Sequence, residues 1–203
     1  MTVQKLRPTN GKGITPPSPD RQSGSTLIEV LVTLVVIAFG LLGLVGLQMR
    51  LHSSEMESYQ RSQALLLLND MASRMAVNRS NIATYATGSP VTSPLGAGMT
   101  CPTAVSTVVE RDLKEWCDAL QGAGETETGG ARVGVMLGGR GCIQSVTGGV
   151  EYLVTVAWQG LSPVSAPPDS IACGKDSYNM TNSACTNDTC RRVVTTLVRV
   201  ATL

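Results

Sequence analysis

The sequence predicts an α+β chain. One long N-terminal helix, apolar in its first half and amphipathic in its second, packs on a small antiparallel sheet with a disulfide-tied loop. Three observations carry this. From Leu27 to Leu47 the residues are Leu, Ile, Val, Ala, Phe, Gly and one Thr, apart from Glu29, and about 20 apolar residues suffice to cross a bilayer as a helix. No proline interrupts Gly24 to Ser89, so nothing stops that helix at the end of the apolar run. Farther on, Val150, Tyr152, Val154, Val156 and Trp158 alternate with other residues, the pattern of a strand that buries one face.

Residues 1–23 are polar and rich in Pro, Gly and Ser; they hold too little apolar surface to build a core and are expected to be disordered. Residues 1–24 carry a net charge of +3 and the remainder −2. Positive charge ahead of the apolar run keeps that end in the cytoplasm and sends the rest across the membrane. The overall charge of +1 argues against a nucleic-acid footprint. An ordinary secretory signal is cut after its apolar region, at small residues. No good site of that kind follows this run, whereas a cut after Gly24 would keep the helix in the product. A plain uncleaved anchor would leave Glu29 unexplained, because a carboxylate in lipid is costly unless paired.

Gly40, Gly43 and Gly46 recur every third residue. They read equally as ordinary membrane-helix glycines and as a soft spot where the helix unwinds or neighbours approach closely. From Gln48 to Asn81 the helix is expected to continue, with Leu51, Leu65, Leu68, Ala72 and Met75 as its apolar stripe. Glu55, Glu57, Arg61, Asp70 and Arg74 suit its wet face. Tyr85 to Gly98 reads as a loop broken by Gly88-Ser89-Pro90 and Ser93-Pro94. A second helix is expected over Thr103 to Leu120, burying Val109, Leu113, Trp116, Cys117 and Leu120, and the glycine-rich Gln121 to Gly130 ends it. Strand candidates are Ala131 to Leu137, then Cys142 to Val146 and Val150 to Trp158 as a hairpin. Arg192 to Leu203 closes the sheet with Val194, Thr196, Val198 and Val200 on one face. Gly160 to Thr189 is a long polar connection, and such loops are uncommon unless functional or tied down.

Six cysteines, Cys101, Cys117, Cys142, Cys173, Cys185 and Cys190, all lie on the exported side. An even number in an oxidising compartment reads as disulfides. Six allow 15 pairings, and spacing does not choose among them. The working assignment joins Cys101 to Cys117, Cys142 to Cys173 and Cys185 to Cys190. Zinc is disfavoured: there is no C-x-x-C pair, and the one histidine, His52, is remote from the cysteines.

Catalytic chemistry is not visible. Gly138-Gly139-Arg140-Gly141 lacks the Lys-Ser/Thr of a phosphate cradle and reads as a turn. Asn78-Arg79-Ser80, Asn179-Met180-Thr181 and Asn187-Asp188-Thr189 fit the N-glycan acceptor pattern, which is frequent by chance. Asn187 and Asp188 lie among oxygens that suit calcium, but no spaced carboxylate loop accompanies them. No side chains supply a nucleophile and a base together, so a non-enzyme without cofactor or metal is expected.

The stretch GSTLIEVLVTLVVIAFGLLGL, beginning at Gly24, resembles the type IV prepilin signature. VEYLVTVAWQG at Val150 and RRVVTTLVRVA at Arg191 look like the PilV-type minor pilins of the type IV pilus. The resemblance implies a pilin-like fold in three parts: a cleaved leader (1–24), a transmembrane and assembly helix (25–48) and a periplasmic ectodomain (49–203). It implies that a prepilin peptidase cuts between Gly24 and Ser25 and methylates the new amine on Ser25, and that Glu29 meets such an amine during assembly. Ser25 stands where major pilins have Phe, and Gly46 where many have Pro. The implied partners are other minor pilins, the major pilin, the peptidase and methyltransferase, and the assembly platform of the bacterial inner membrane. The chain would start in that membrane with a single pass and end in the pilus at the cell surface. There it would prime assembly and support twitching motility and adhesion. The alternative is a minor pseudopilin of type II secretion.

Overall fold

A computed structural model describes residues 24–89, 93–122 and 136–199. In order these form helix α1 (Leu27–Val77), a 3-10 helix (Arg79–Tyr85), strand β1 (Leu95–Gly96), helix α2 (Val108–Leu120) and strands β2 (Arg140–Thr147), β3 (Glu151–Gln159) and β4 (Arg191–Arg199). Residues 1–23 of the leader expected over 1–24 lie outside the described residues, as do 131–135 of the strand expected at Ala131 to Leu137 and the chain beyond Arg199. Met136 and Leu137 themselves sit in the turn before β2. The chain separates into two units, Met1–Leu47 and Gln48–Leu203.

In the first unit, every side chain from Leu27 to Leu47 is exposed. The helix persists through Gly40, Gly43 and Gly46. Thr33 turns its hydroxyl back to donate to Val30 O at 2.8 Å, which spares an apolar helix an unpaired donor.

The second unit holds a four-stranded antiparallel sheet in the order β1-β2-β3-β4. β2 and β3 make the expected hairpin around Gly148 and Gly149, both at positive φ, with a register shift between Ser145 and Thr147. Ile143 stands opposite Val154, Tyr152 opposite Val198, and Val156 opposite Val194. These residues and Trp158 form one core with Ala64, Leu68, Met71 and Met75 of α1 and Trp116 and Leu120 of α2.

The helical stripe differs from the expected one. Gln60, Ala64, Leu68, Met71 and Met75 are buried, Ala72 is partly buried, and Leu51 and Leu65 are exposed. Leu65 to Leu68 is a run of four leucines, which satisfies any helical phase. The small Ala64 and the methionines fix which side faces the strands. The wet face is also less free than expected. Arg74 binds Asp70, Asp112 and Glu115, and Glu57 binds Arg192.

Helix α2 starts at Val108 rather than Thr103 because Thr107 caps it. Thr107 Oγ1 accepts from Glu110 N, and Glu110 accepts from Thr107 N, a reciprocal capping box. The preceding residues are instead irregular, and Cys101 is bonded to Cys117. The loop expected from Tyr85 to Gly98 holds the end of the 3-10 helix and β1. Gly138 and Gly139 do form a turn, but Arg140 and Gly141 belong to β2. A Cβ at Gly141 would lie 2.3 Å from the Trp116 ring, so glycine here lets α2 lie against the strand. Trp116 Nε1 also donates to Leu67 O at 2.9 Å, joining both helices.

Burial against the helices was expected on one sheet face only. The opposite face is covered as well: Cys142, Ala157, Cys173 and Tyr178 form a second core there. The loop between β3 and β4 folds back over the sheet, and Cys142 is bonded to Cys173.

Adding bulk to a close-packed contact costs about 1–3 kcal/mol. Gly141→Val is therefore expected to lower the urea midpoint of the full chain in detergent. An unchanged midpoint would show that α2 does not depend on this contact.

Candidate functional site

The residues singled out at the start of α1 come together locally. Gly24 and Ser25 precede the helix and are exposed, and a Cβ at Gly24 would meet no atom within 4 Å among the described residues. The helix begins where Thr26 O accepts from Glu29 N at 3.0 Å and Val30 N at 3.2 Å. Glu29 thus sits in the first turn, where the positive end of the helix dipole favours an acid. Its carboxylate turns back toward the chain start, and Ser25 Oγ donates to Oε2 at 3.2 Å. It is the one ionisable group from Leu27 to Leu47. This arrangement can hold a cation placed at Ser25.

The six cysteines form three disulfides: Cys101–Cys117, Cys142–Cys173 and Cys185–Cys190. The last two tie down the loop between β3 and β4. A cluster that the sequence reading missed reinforces it. Asp188 and Arg191 are both buried, and Arg191 Nε donates to Asp188 Oδ2 at 3.1 Å. Arg191 also donates to Ile171 O at 2.5 Å and Cys173 O at 3.2 Å. Asp188 Oδ1 accepts from Asp176 N at 2.8 Å. The Asp188 carboxylate is therefore taken up by protein donors, which leaves little for the calcium considered above. Asn179, in one of the glycan-like triplets, is likewise engaged, accepting from Asp188 N at 2.8 Å. Asp176, Asn182, Asn187 and Asp188 all adopt positive φ. A density of Asn and Asp in a loop signals such turns, but not which carboxylate goes inside.

His52 is exposed beside Glu55, with 3.9 Å between them. Among the described residues no group of three or more His, Cys, Asp or Glu is placed to hold a metal. A second polar cluster joins α1 to α2. Burial opposes the Arg74 charge, yet hydrogen bonds to Glu115, Asp70 and Asp112 hold its pKa above the usual range. Tyr85 donates to Asp112 Oδ2; burial first, and that bond second, push its pKa up to about 12. Burial pushes Tyr178 up to about 12 as well, while its hydroxyl donates to Gly138 O at 2.9 Å.

Two family models match the chain. The prokaryotic N-terminal methylation motif matches residues 19–45, and type IV pilin Tt1218 matches residues 46–121. Together with the long apolar helix on a disulfide-bonded antiparallel sheet, they support a type IV pilin. The match over residues 46–121 is to the Tt1218-like pilins in particular. The motif and the helix, which is long and apolar enough to cross a membrane, fit anchoring in a membrane. The comparisons with curated proteins and with solved structures gave no match.

The two shifted tyrosines set an alkaline limit. Each phenol is held neutral by the fold, so its contribution is intact below the ordinary value of 10.0 and is lost as pH rises toward about 12. Stability of the full chain is expected to fall across that window. Tyr178→Phe should remove part of the late tyrosinate absorbance in a spectrophotometric titration. Full ionisation of both near the ordinary value would contradict the buried placement.

Proposed function

We propose that the chain is a minor pilin of the PilV type, a structural protein rather than an enzyme. A prepilin peptidase cuts between Gly24 and Ser25, and Ser25 becomes the N-methylated first residue. The helix from Ser25 to Gln48 then holds the chain in the inner membrane, with the ectodomain in the periplasm. From there the chain joins other minor pilins in a complex that primes assembly, and enters the pilus with the major pilin through the assembly platform. Pilus-based adhesion and twitching motility follow. The description of the family model over residues 46–121, a type IV pilin, favours the pilus over a type II secretion role.

One observation carries the reading. The lone acid of an apolar helix, Glu29, already turns its carboxylate back to Ser25 at 3.2 Å. Cleavage would create an ammonium at Ser25 itself. A single charge in lipid is unfavourable, and opposite charges brought together offset that cost. Glu29 therefore pairs with an N-terminal amine, its own in the membrane and a neighbouring subunit's in the filament. The exposed Gly24, with no side-chain carbon of its own, suits a narrow protease slot.

Two outcomes test this. Gly24→Val is expected to leave an uncut precursor. A mature chain of ordinary mass from that variant would sink the cleavage assignment. Removing one member of a buried pair costs about 3–5 kcal/mol, on the order of a hundredfold or more in docking. Glu29→Ala should therefore be processed yet nearly absent from sheared pili. Mass spectrometry of the N-terminal peptide from those pili reads cleavage, methylation and incorporation together.

A further inference from the structure

A cleft of about 400 Å³ opens in the second unit where α1 meets the ends of β3 and β4, lined by Ser54, Glu57, Ser58, Arg61, Trp158 and Arg192 among others. Ser54, Ser58 and Arg61 are spaced four and three apart, so they share one side of the helix. Trp158 and Arg192 are paired across the two strands. Charge in the cleft is unbalanced. Every nitrogen of Arg192 is engaged: Nε donates to Glu57 Oε1 at 2.6 Å, and its other nitrogens donate to Thr189 O at 3.1 Å and Ser162 O at 2.6 Å. Glu57 is thereby neutralised. Arg61 is exposed and has no ion pair or hydrogen bond among the described residues. Donors are also in surplus. The hydroxyls of Ser54 and Ser58 make no hydrogen bond among the described residues. The guest that suits such a cleft is an anion rich in acceptor atoms.

We propose that this cleft receives a carboxylate side chain of an adjacent pilin subunit, with Arg61 as its ion-pair partner, Ser54 and Ser58 as hydrogen-bond donors and Trp158 as the apolar wall. The source is argued from continuity. Ser54 lies seven residues beyond Leu47 on the helix that carries the assembly segment, and Met49, Leu51, Met56 and Tyr59 around it remain exposed. A helix that packs among subunits brings their side chains to this cleft, and the partly closed wall strengthens an ion pair relative to open water. The proposal rests on the pilin reading above.

The test uses the full chain in its own pilus-forming host. Arg61→Glu reverses the one unpaired charge and is expected to lower the chain's amount in sheared pili about tenfold, the worth of one charge-assisted hydrogen bond. Processing, and resistance of the unassembled chain to protease, should be unchanged. Arg61→Lys should restore most of the loss. A photo-crosslinking residue at Ser58 should capture a peptide of another pilin that contains Asp or Glu. Arg61→Glu at the wild-type level in pili would overturn this proposal alone, as would a Ser58 crosslink to lipid or to nothing in assembled pili. A wild-type chain missing from pili would overturn the pilin reading, and this proposal with it.

Discussion

The second unit depends on one seam, the line where α1 lies along the core-facing side of the sheet. Ala64, Leu68, Met71 and Met75 enter it from the helix, and Ile143, Tyr152, Val154, Val156 and Trp158 from the strands. Burial of each large apolar side chain contributes about 1.5–3 kcal/mol. The polar contacts give the seam its register. Glu57 reaches Arg192 near one end, and Arg74 reaches Asp112 and Glu115 toward the other. Helix α2 is added to this seam rather than forming a core of its own. Its Trp116 lies against Gly141 and donates to a carbonyl of α1.

Much of this was legible in the residues, and what was not has identifiable causes. The apolar run from Leu27 and the alternation in β3 are periodic over many residues, so one misplaced side chain cannot hide them. The phase of the stripe was lost at Leu65 to Leu68, because consecutive leucines carry no phase. The start of α2 was written in Thr107 and Glu110, spaced as a capping box, and a closer reading would have stopped the helix there. The loop over the second sheet face was illegible for a different reason. Its order comes from Asp188, in a left-handed turn, and Arg191, at the start of β4, residues close in sequence that are both buried and bonded to each other. Neither hydropathy nor spacing predicts two opposite charges inside.

At the other end of the chain the physics is simpler. Glu29 is a single acid with apolar residues on all sides in sequence, and its position in the first turn puts it within reach of Ser25. The same rule, that charge removed from water needs a partner, governs Asp188 and Arg191 in the ectodomain. The loop supplies that partner internally. The apolar helix has no cation from Leu27 to Leu47, so the proposed one must come from a chain end.

The three disulfides carry a mechanical consequence. All six cysteines fall between Cys101 and Cys190, and none is in α1. Cystines staple α2 to the segment before it and the loop to the sheet, yet no covalent crosslink fastens the long rod to the body it supports. Separating α1 from the sheet therefore breaks only non-covalent contacts, the side-chain packing of the seam and the Glu57–Arg192 ion pair, while the cystines go on holding α2 and the loop between β3 and β4.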